Sequence, residues 1–288
     1  MQPLHSFTKR FARLATILLI ITSMNFGTQA QQIKAPAPSL PQFVKQDFGL
    51  SAIELSYSRH GVKGRQIFGD LVPYGKVWRT GANQATTITF GDEVMIGGTK
   101  IPAGKYGLLT IPGAGEWTFI ITRQLDVVNS SVYKQDQDIV RVTVSSTTLP
   151  FSVESFTILF ANLTTNSCDL QLIWDKTLVT LPIRVEIDGK IMSQIDEAMS
   201  KDNRPYFTAA MYYLENGKDQ NKALEWFNKA IDQNPDAYFV YYQKARCLAK
   251  LGRKQDATAA AQKGIEMAKK ANNYDYVTLN EKLITSLK

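Results

Sequence analysis

Apolar and polar positions alternate in short runs between Ile53 and Ile187, which is the pattern of strands with one buried face. Glycine and proline separate these runs, for example at Gly97-Gly98 and at 112–115. The runs cover residues 53–57, 86–90, 93–96, 106–111, 117–122, 139–145, 156–162, 169–174 and 179–187. No amphipathic helix interrupts them, so eight or nine short strands predict an all-β sandwich or barrel and not a parallel α/β sheet.

The period becomes helical after Asp188-Gly189 and stays so to Lys288. Two similar segments follow each other, each with small residues on both sides of a glycine. The first holds Tyr206, Ala209, Ala210, Tyr213, Gly217, Ala223, Phe227, Ala230 and Pro235, and the second Tyr241, Ala245, Leu248, Gly252, Ala257, Ala261 and Gly264. This spacing resembles the tetratricopeptide repeat, in which two antiparallel helices pack closely around small residues. The predicted fold class is therefore an all-β domain followed by an all-α tetratricopeptide-like helical repeat domain.

The N-terminus has the features of a secretion signal. Lys9, Arg10 and Arg13 precede an apolar run at 14–21, and Ala30 ends a plausible cleavage site. The apolar run is shorter than the roughly 20 residues of a membrane span, so no membrane-spanning helix is expected after cleavage. The predicted organisation is a signal peptide at 1–30, a proline-containing linker at 31–46, a β-sandwich-like domain at 47–190 and a helical domain at 191–288. A periplasmic or extracellular location follows from this prediction.

The composition of the chain argues against nucleic-acid binding, a metal site and a disulfide. The 288-residue chain has a formal charge of +7, and loss of the three signal cations leaves +4, too little to predict nucleic-acid binding. Only two histidines and two cysteines occur, and His5 lies in the predicted signal, so no metal site and no cofactor are predicted. Cys168 and Cys247 fall in different predicted domains, which favours two buried free thiols over a disulfide.

The stretch from Ser58 to Phe90 is rich in glycine and in cations, with the string VPYGKVWRTGAN at 72–83. Together with IGGTKIPAGKYGLLTIPG at 96–113, it closely resembles an exported bacterial family of proteins known as domain of unknown function 2911. The resemblance covers roughly residues 47–190, and helical repeats like those of this chain follow the domain in some members. The family implies an exported protein and supplies no reaction.

A ligand surface is predicted in this stretch, because guanidinium groups bind carboxylate, sulfate or phosphate in a bidentate manner. The candidate ligand-binding residues are Arg59, Lys63, Arg65, Trp78, Arg79 and Asn83. The ligand would be an anionic small molecule or a glycan, with Trp78 available to stack on a sugar ring. The alternative is structural: the arginines would pair with Asp70, Asp92 or Glu93 and with loop carbonyls.

A second candidate surface lies on the helical repeats. Positions that line the groove of tetratricopeptide repeats fall on Arg204, Phe207, Met211, Phe239, Tyr242 and Arg246. A mixed aromatic and basic groove suits a protein or peptide partner with an acidic or aromatic anchor. The alternative is that Phe207 and Phe239 pack between helices or onto the β-domain.

The sequence contains no catalytic constellation with a specific signature, and no catalytic residue is assigned. The predicted function is a non-enzymatic binding or assembly protein of the bacterial cell envelope. The alternative is a hydrolase of envelope glycans or imported polysaccharide, using paired carboxylates among Asp70, Asp92, Glu93 and Asp126. A purely structural partner in an envelope complex is the third possibility.

Overall fold

The computed structural model describes residues 36–288, so the predicted signal peptide and the start of the predicted linker lie outside the described residues. Nine strands come first: β1 (Pro41–Phe48), β2 (Ser51–Ser58), β3 (Thr87–Phe90), β4 (Val94–Ile96), β5 (Thr99–Ile101), β6 (Gly104–Ile111), β7 (Glu116–Thr122), β8 (Asp138–Ala161) and β9 (Ser167–Val185). Six helices follow: α1 (Asp188–Met199), α2 (Tyr206–Glu215), α3 (Gln220–Gln233), α4 (Tyr238–Lys250), α5 (Lys254–Lys270) and α6 (Tyr274–Ser286). The predicted fold class is confirmed.

The strands form one antiparallel sheet in the order β1-β2-β3-β6-β7-β8-β9-β4-β5. The long strand β8 pairs with β7 through its first part and with β9 through the rest, with register shifts between Thr148 and Thr157. These bulges bend the strand, because each leaves residues unpaired and increases the local twist. The two halves of the sheet thus face each other over one core, to which β2, β3, β7, β8 and β9 all contribute.

Aromatic rings fill the middle of this core. The Trp78 ring lies 6.3 Å from Trp117, 5.1 Å from Phe156 and 5.9 Å from Trp174 between centroids, and Phe156 lies 5.6 Å from Trp174. Phe68 joins them through edge contacts to Trp117 at 4.8 Å and to Trp174 at 5.9 Å. Such pairs add about 0.5–1.5 kcal/mol each beyond the burial of their area. The cluster therefore anchors the irregular segment between β2 and β3 to β7, β8 and β9.

The prediction of a linker at 31–46 is wrong from Pro41 onward, because β1 pairs with β2 along its full length. The pattern missed this strand because two of its half-buried inward positions are Gln42 and Gln46, so apolar alternation is weak. Proline is compatible with the first residue of an edge strand, since its missing N–H need not face a neighbour. Two further pairs of predicted runs, 139–145 with 156–162 and 169–174 with 179–187, are continuous in β8 and β9.

The helices form two hairpins and a closing helix. Glycines with positive φ, Gly217 at 64° and Gly252 at 75°, end α2 and α4 and allow the chain to reverse into α3 and α5. The small residues of both segments are buried where the helices meet, including Ala210, Ala223 and Ala257, each with 0% exposure. Helix α6 packs on α5 and covers the second hairpin.

Helix α1 connects the two parts and begins at Asp188, slightly before the predicted boundary. Ile191 packs against both the β-domain core and the helical core, and Ile195 is buried in the helical core. Lys190 forms an ion pair with Asp92 at 2.8 Å, and Lys218 of the first hairpin pairs with Asp188 at 2.7 Å. Helix α1 therefore links the first hairpin to the β-domain. Such support is expected, because an array of only two repeats has few neighbours against which to bury its open faces.

Cys168 and Cys247 are both buried and free, as predicted. Burial raises the pKa of Cys168 to about 12 and that of Cys247 to about 11, which keeps both thiols protonated. Within residues 36–288, no helix is both long and apolar enough to cross a membrane.

Candidate functional site

The crossover, residues 59–86 between β2 and β3, contains all six predicted ligand-binding residues. Its backbone is held at several points by neighbouring strands: Gly61 bridges to Ser155 of β8, and Trp78 exchanges two hydrogen bonds with Thr110 of β6, at 2.7 and 3.0 Å. The Arg59 N–H donates to Leu40 O at 2.9 Å. These backbone hydrogen bonds fix the crossover near its start and in its middle, although it contains no regular strand.

Three non-glycine residues of the crossover have left-handed backbone conformations: Lys63 at φ 50°, Thr80 at 56° and Asn83 at 55°. Such conformations are uncommon, above all for a β-branched residue. Thr80 is fully buried, and its Oγ1 lies 3.0 Å from Thr110 Oγ1 and 3.3 Å from Trp78 O. The surrounding contacts hold the strained backbone in place, as is common at binding sites.

The three arginines of the crossover bind carbonyl and hydroxyl oxygens. Arg59 donates to Phe156 O at 2.9 Å and to Thr157 Oγ1 at 2.6 Å. Arg65 donates to Val62 O at 3.1 Å and to Gly61 O at 2.6 Å, and Arg79 Nη1 donates to Val128 O. None of the three takes part in an ion pair among residues 36–288.

The structural alternative for the arginines proposed contacts both with loop carbonyls and with acids, and in the described part of the chain only the first kind is present. Two of the acids proposed as arginine partners form ion pairs with lysines instead: Asp92 with Lys190, and Glu93 with Lys100 at 3.4 Å. Carbonyl acceptors orient a guanidinium without neutralising it. The crossover therefore keeps its positive charge.

Two of the predicted ligand-binding residues have structural contacts. Trp78 is partly buried and packs against the aromatic core, stacked on Trp174 at 5.9 Å and tilted against Phe156 at 5.1 Å. Asn83 donates through Nδ2 to Ser39 O at 3.0 Å and fastens the approach to β1.

His60 is the residue that the sequence did not single out as a ligand-binding candidate. It is partly buried, and its imidazole stacks on Trp174 with centroids 5.5 Å apart and planes inclined by 23°. Burial lowers its pKa, and the nearby charges of Arg79, Arg65 and Lys63 lower it further, against a hydrogen bond with the Gly81 main chain. We name His60, Lys63, Arg65 and Arg79 the cationic cluster. Its signal in the sequence was a histidine flanked by cations and glycines.

One of the carboxylates proposed for hydrolysis, Asp92, is held in its charged form by an ion pair. The ion-paired Lys190 lowers the pKa of Asp92 by hydrogen bonding, and burial opposes this only in part. A general acid at neutral pH needs the opposite shift. Among residues 36–288, no group of three or more histidine, cysteine, aspartate and glutamate side chains is placed to hold a metal ion.

A cleft of about 880 Å³ lies where α1 leaves β9, between Gly49-Leu50, Thr165-Asn166 and the first hairpin. The polar groups at its wall are already engaged: Tyr212 donates to Asp188 at 2.7 Å, and Lys218 pairs with the same carboxylate. Burial, together with the hydrogen bond to Asp188, raises the pKa of Tyr212 to about 12. The cleft is best described as the junction of the two parts.

The second candidate surface follows α2, α4 and α6. Phe207 contacts Phe239 edge-on at 5.1 Å and Phe227 at 6.3 Å, so both phenylalanines pack between helices, as the structural alternative proposed. Met211 is also partly buried against the helical core. Aromatic contacts continue from Phe239 to Tyr238 at 5.6 Å and from Tyr238 to Tyr276 of α6 at 5.0 Å.

Polar groups border this aromatic series. Tyr242 contacts Tyr276 at 5.8 Å, and the guanidinium of Arg246 lies 6.0 Å from the Tyr242 ring. Arg246 Nη1 also donates to Glu215 Oε1 and to Gln243 Oε1, both at 2.7 Å. Arg204 is exposed at the start of α2, 3.4 Å from Tyr206 Oη. We name Tyr238, Tyr242, Tyr276 and Arg246 the repeat face. Tyr276 was missed because its helix, α6, lies outside both repeat segments, and Tyr238 because it precedes Tyr241, where the second segment begins.

The fold and these surfaces define a two-part protein, a β-sandwich domain joined to tetratricopeptide-like helical hairpins. A family model described as "Protein of unknown function (DUF2911)" matches residues 39–183, and the chain belongs to this family. A second model, described as "Tetratricopeptide repeat", matches residues 226–259. The repeats indicate a role in protein interaction or assembly.

Known proteins resemble parts of the chain. An uncharacterized protein of Methanocaldococcus jannaschii is 35% identical over 79 residues, which is 25% of this chain and 92% of the relative. A crystal structure of a tetratricopeptide repeat domain protein from Salinibacter ruber is 21% identical, covers 28% of this chain and 91% of its own, and has a TM-score of 0.27. A solution NMR structure of a tetratricopeptide repeat domain protein from the same organism is 22% identical, covers 31% and 91%, and has a TM-score of 0.28.

Proposed function

We propose that this protein is an exported binding or assembly protein of the bacterial cell envelope, whose repeat face binds a segment of a partner protein. The observation that carries the proposal is the continuous aromatic series from Phe207 through Phe239 and Tyr238 to Tyr276 and Tyr242, which ends beside Arg246. Tyrosine and arginine are the residue types that most often dominate binding energy at protein interfaces.

The chemistry of the repeat face favours a partner segment with an acidic group next to an apolar or aromatic side chain. Arg246 is partly exposed and already oriented by Gln243 and Glu215, so a partner carboxylate would compete with Glu215 for a fixed guanidinium. The tyrosine rings offer apolar area with little rotamer entropy to lose. The hydroxyl of Tyr238 accepts from Asn273 Nδ2 at 3.0 Å, which fixes its ring.

The export part of the proposal is supported by the charged and apolar pattern of residues 1–30. The envelope location depends on that pattern. The role of the helical repeats stands independently of it.

The test is affinity capture from an envelope extract of the organism that makes the protein, with wild type and three variants. Tyr242→Ser and Arg246→Gln remove the tyrosine ring and the charge from the repeat face. Tyr274→Ser is the matched control, because Tyr274 lies on α6 with 66% of its surface exposed. Wild type and Tyr274→Ser should capture the same partner, whereas Tyr242→Ser and Arg246→Gln should bind it about tenfold or more weakly.

Melting temperatures of the four proteins separate loss of binding from loss of folding. Capture of the same protein by all four, or by a β-domain fragment alone, would contradict the proposed repeat face.

A further inference from the structure

The crossover carries five cations, Arg59, Lys63, Arg65, Lys76 and Arg79, against one acid, Asp70, and none of the five takes part in an ion pair among residues 36–288. Arg65 Nη2 donates to Gly61 O at 2.6 Å, directly after His60, and the side chain of Lys63 lies beside the same glycine. The backbone that follows Arg79 is held against the residues before His60, since the Ala82 N–H donates to Ser58 O at 3.1 Å. The charges of all three cations lower the pKa of the His60 imidazole. Glu154 is the nearby acid, but its Oε1 accepts the Lys63 main-chain N–H at 2.9 Å and lies beside Gly61. Like charges held together repel one another, so a counter-charge bound here would stabilise the fold.

The two guanidinium groups of the cationic cluster are oriented and incompletely used. Arg65 is exposed, and carbonyls accept from its Nε and Nη2. Arg79 donates through Nη1 to Val128 O, while its Nε is buried without a hydrogen-bond partner among residues 36–288. A buried donor without a partner costs about 1–3 kcal/mol, so an oxyanion that accepted from Arg79 would offset part of this cost.

The support beneath the cluster is rigid. His60 rests on Trp174, which is 1% exposed in the aromatic core, and His60 O accepts the Phe156 N–H at 2.7 Å. Thr80, directly after Arg79, is held with a positive φ by its buried hydroxyl. Side chains fixed before binding lose little entropy when a ligand arrives.

We propose that the cationic cluster binds an oxyanion, a phosphate, sulfate or carboxylate group carried by a small molecule or a sugar. Arg79 and Arg65 would share the anion, Lys63 would add charge, and His60 would donate a hydrogen bond as it takes up a proton. Trp78, Asn83 and Arg59 were also predicted to bind the ligand; in this arrangement they support the site and do not contact the anion. This site lies on the β-domain and is independent of the repeat face.

The experiment uses the full chain without its predicted signal, titrated with phosphate, sulfate and glucuronate at matched ionic strength. Thermal shift and calorimetry measure binding, and NMR of the His60 imidazole reports the local charge. Bound anion should raise the pKa of His60, because it offsets the positive charges that now lower it. Arg79→Gln and Arg65→Gln should each weaken the preferred anion about tenfold, the effect of one charged hydrogen bond.

Arg184→Gln is the control for net charge, because Arg184 is exposed on β9 ten positions after Trp174. It should leave both the affinity and the His60 resonance unchanged. Preference for glucuronate over phosphate and sulfate would identify a sugar acid, and the reverse a phosphorylated or sulfated ligand. Arg65 is exposed, so Arg65→Gln should fold even if Arg79→Gln does not.

Three results would overturn the proposal: no saturable response to any of the three anions, an equal loss of affinity in Arg184→Gln, or an unchanged His60 pKa at saturation. A fall in melting temperature of Arg79→Gln with wild-type anion affinity would likewise assign Arg79 a purely structural function.

Discussion

At the scale of single residues, Gly264 is a position where a methyl group has no room. A Cβ there would lie 2.9–3.1 Å from three atoms of the Asn280 side chain, which is 0% exposed between α5 and α6. Alanine normally stabilises a helix interior by about 1 kcal/mol over glycine. At position 264 the added methyl group would overpack the contact with Asn280, so the substitution should destabilise the protein. Gly264→Ala should lower the free energy of unfolding, measured by chemical denaturation, by about 1–3 kcal/mol.

The double variant Gly264→Ala/Asn280→Ala is the control for this prediction. It should recover part of the loss, because the smaller side chain on α6 makes room for the methyl group. Equal stability of Gly264→Ala and wild type would show that α6 moves freely on α5.

His60 should make stability depend on pH near neutrality. Burial and the neighbouring cations lower the pKa of His60 below 6.5 in the folded protein, so the unfolded chain binds a proton first as the pH falls. The unfolding free energy should therefore be highest above pH 6.5 and decrease as the pH falls through that value. Urea denaturation at about pH 7.5 and about pH 5.5 measures the difference, and His60→Phe should reduce it while retaining the stack on Trp174. An identical pH dependence in both proteins would exclude His60 as its source.

Residue types revealed the chemistry of the crossover but not the position of each side chain. The cations and glycines of 58–90 pointed to one surface, and in the structure Arg65 and Lys63 contact Gly61, next to His60, whose pKa is also lowered by the charge of Arg79. Sequence alone could not show that Trp78 also packs against Trp117 and Trp174, which lie far away along the chain. His60 was overlooked because its support, Trp174, lies far away along the chain.

At the scale of elements, period and punctuation predicted most strands and both hairpins. They failed for β1, whose inward positions are partly polar, and for β8 and β9, each of which was divided into two runs. The register shifts between Thr148 and Thr157 interrupt the alternation of β8 without ending the strand. The pairing of β1 with β2 and of β8 with β9 decides these cases, and such long-range contacts leave no local pattern.

The segment between α1 and α2 should be the first site of proteolysis. Residues 200–204 are exposed and lie outside both helices. Trypsin should cleave after Lys201 and poorly after Arg204, since Pro205 follows it. The larger fragment should keep β-type circular dichroism together with α1, which Lys190 ties to Asp92. A first cut within the crossover would contradict the rigid support described for the cationic cluster.

At the scale of the whole molecule, export is a prediction from the N-terminal pattern. N-terminal sequencing of the protein recovered outside the cytoplasm should begin close to Gln31. Recovery of soluble protein with intact Met1 from the cytoplasm would contradict it and would remove the envelope from the proposed function.

The central claim is that the repeat face contacts a partner protein in the cell. A photo-crosslinking amino acid placed at Tyr242, with Tyr274 and the exposed Phe43 of β1 as comparison positions, tests it most directly. We predict a discrete crosslinked protein from position 242 and none from 274 or 43. The same product from all three positions, or a product from 43 alone, would contradict the account.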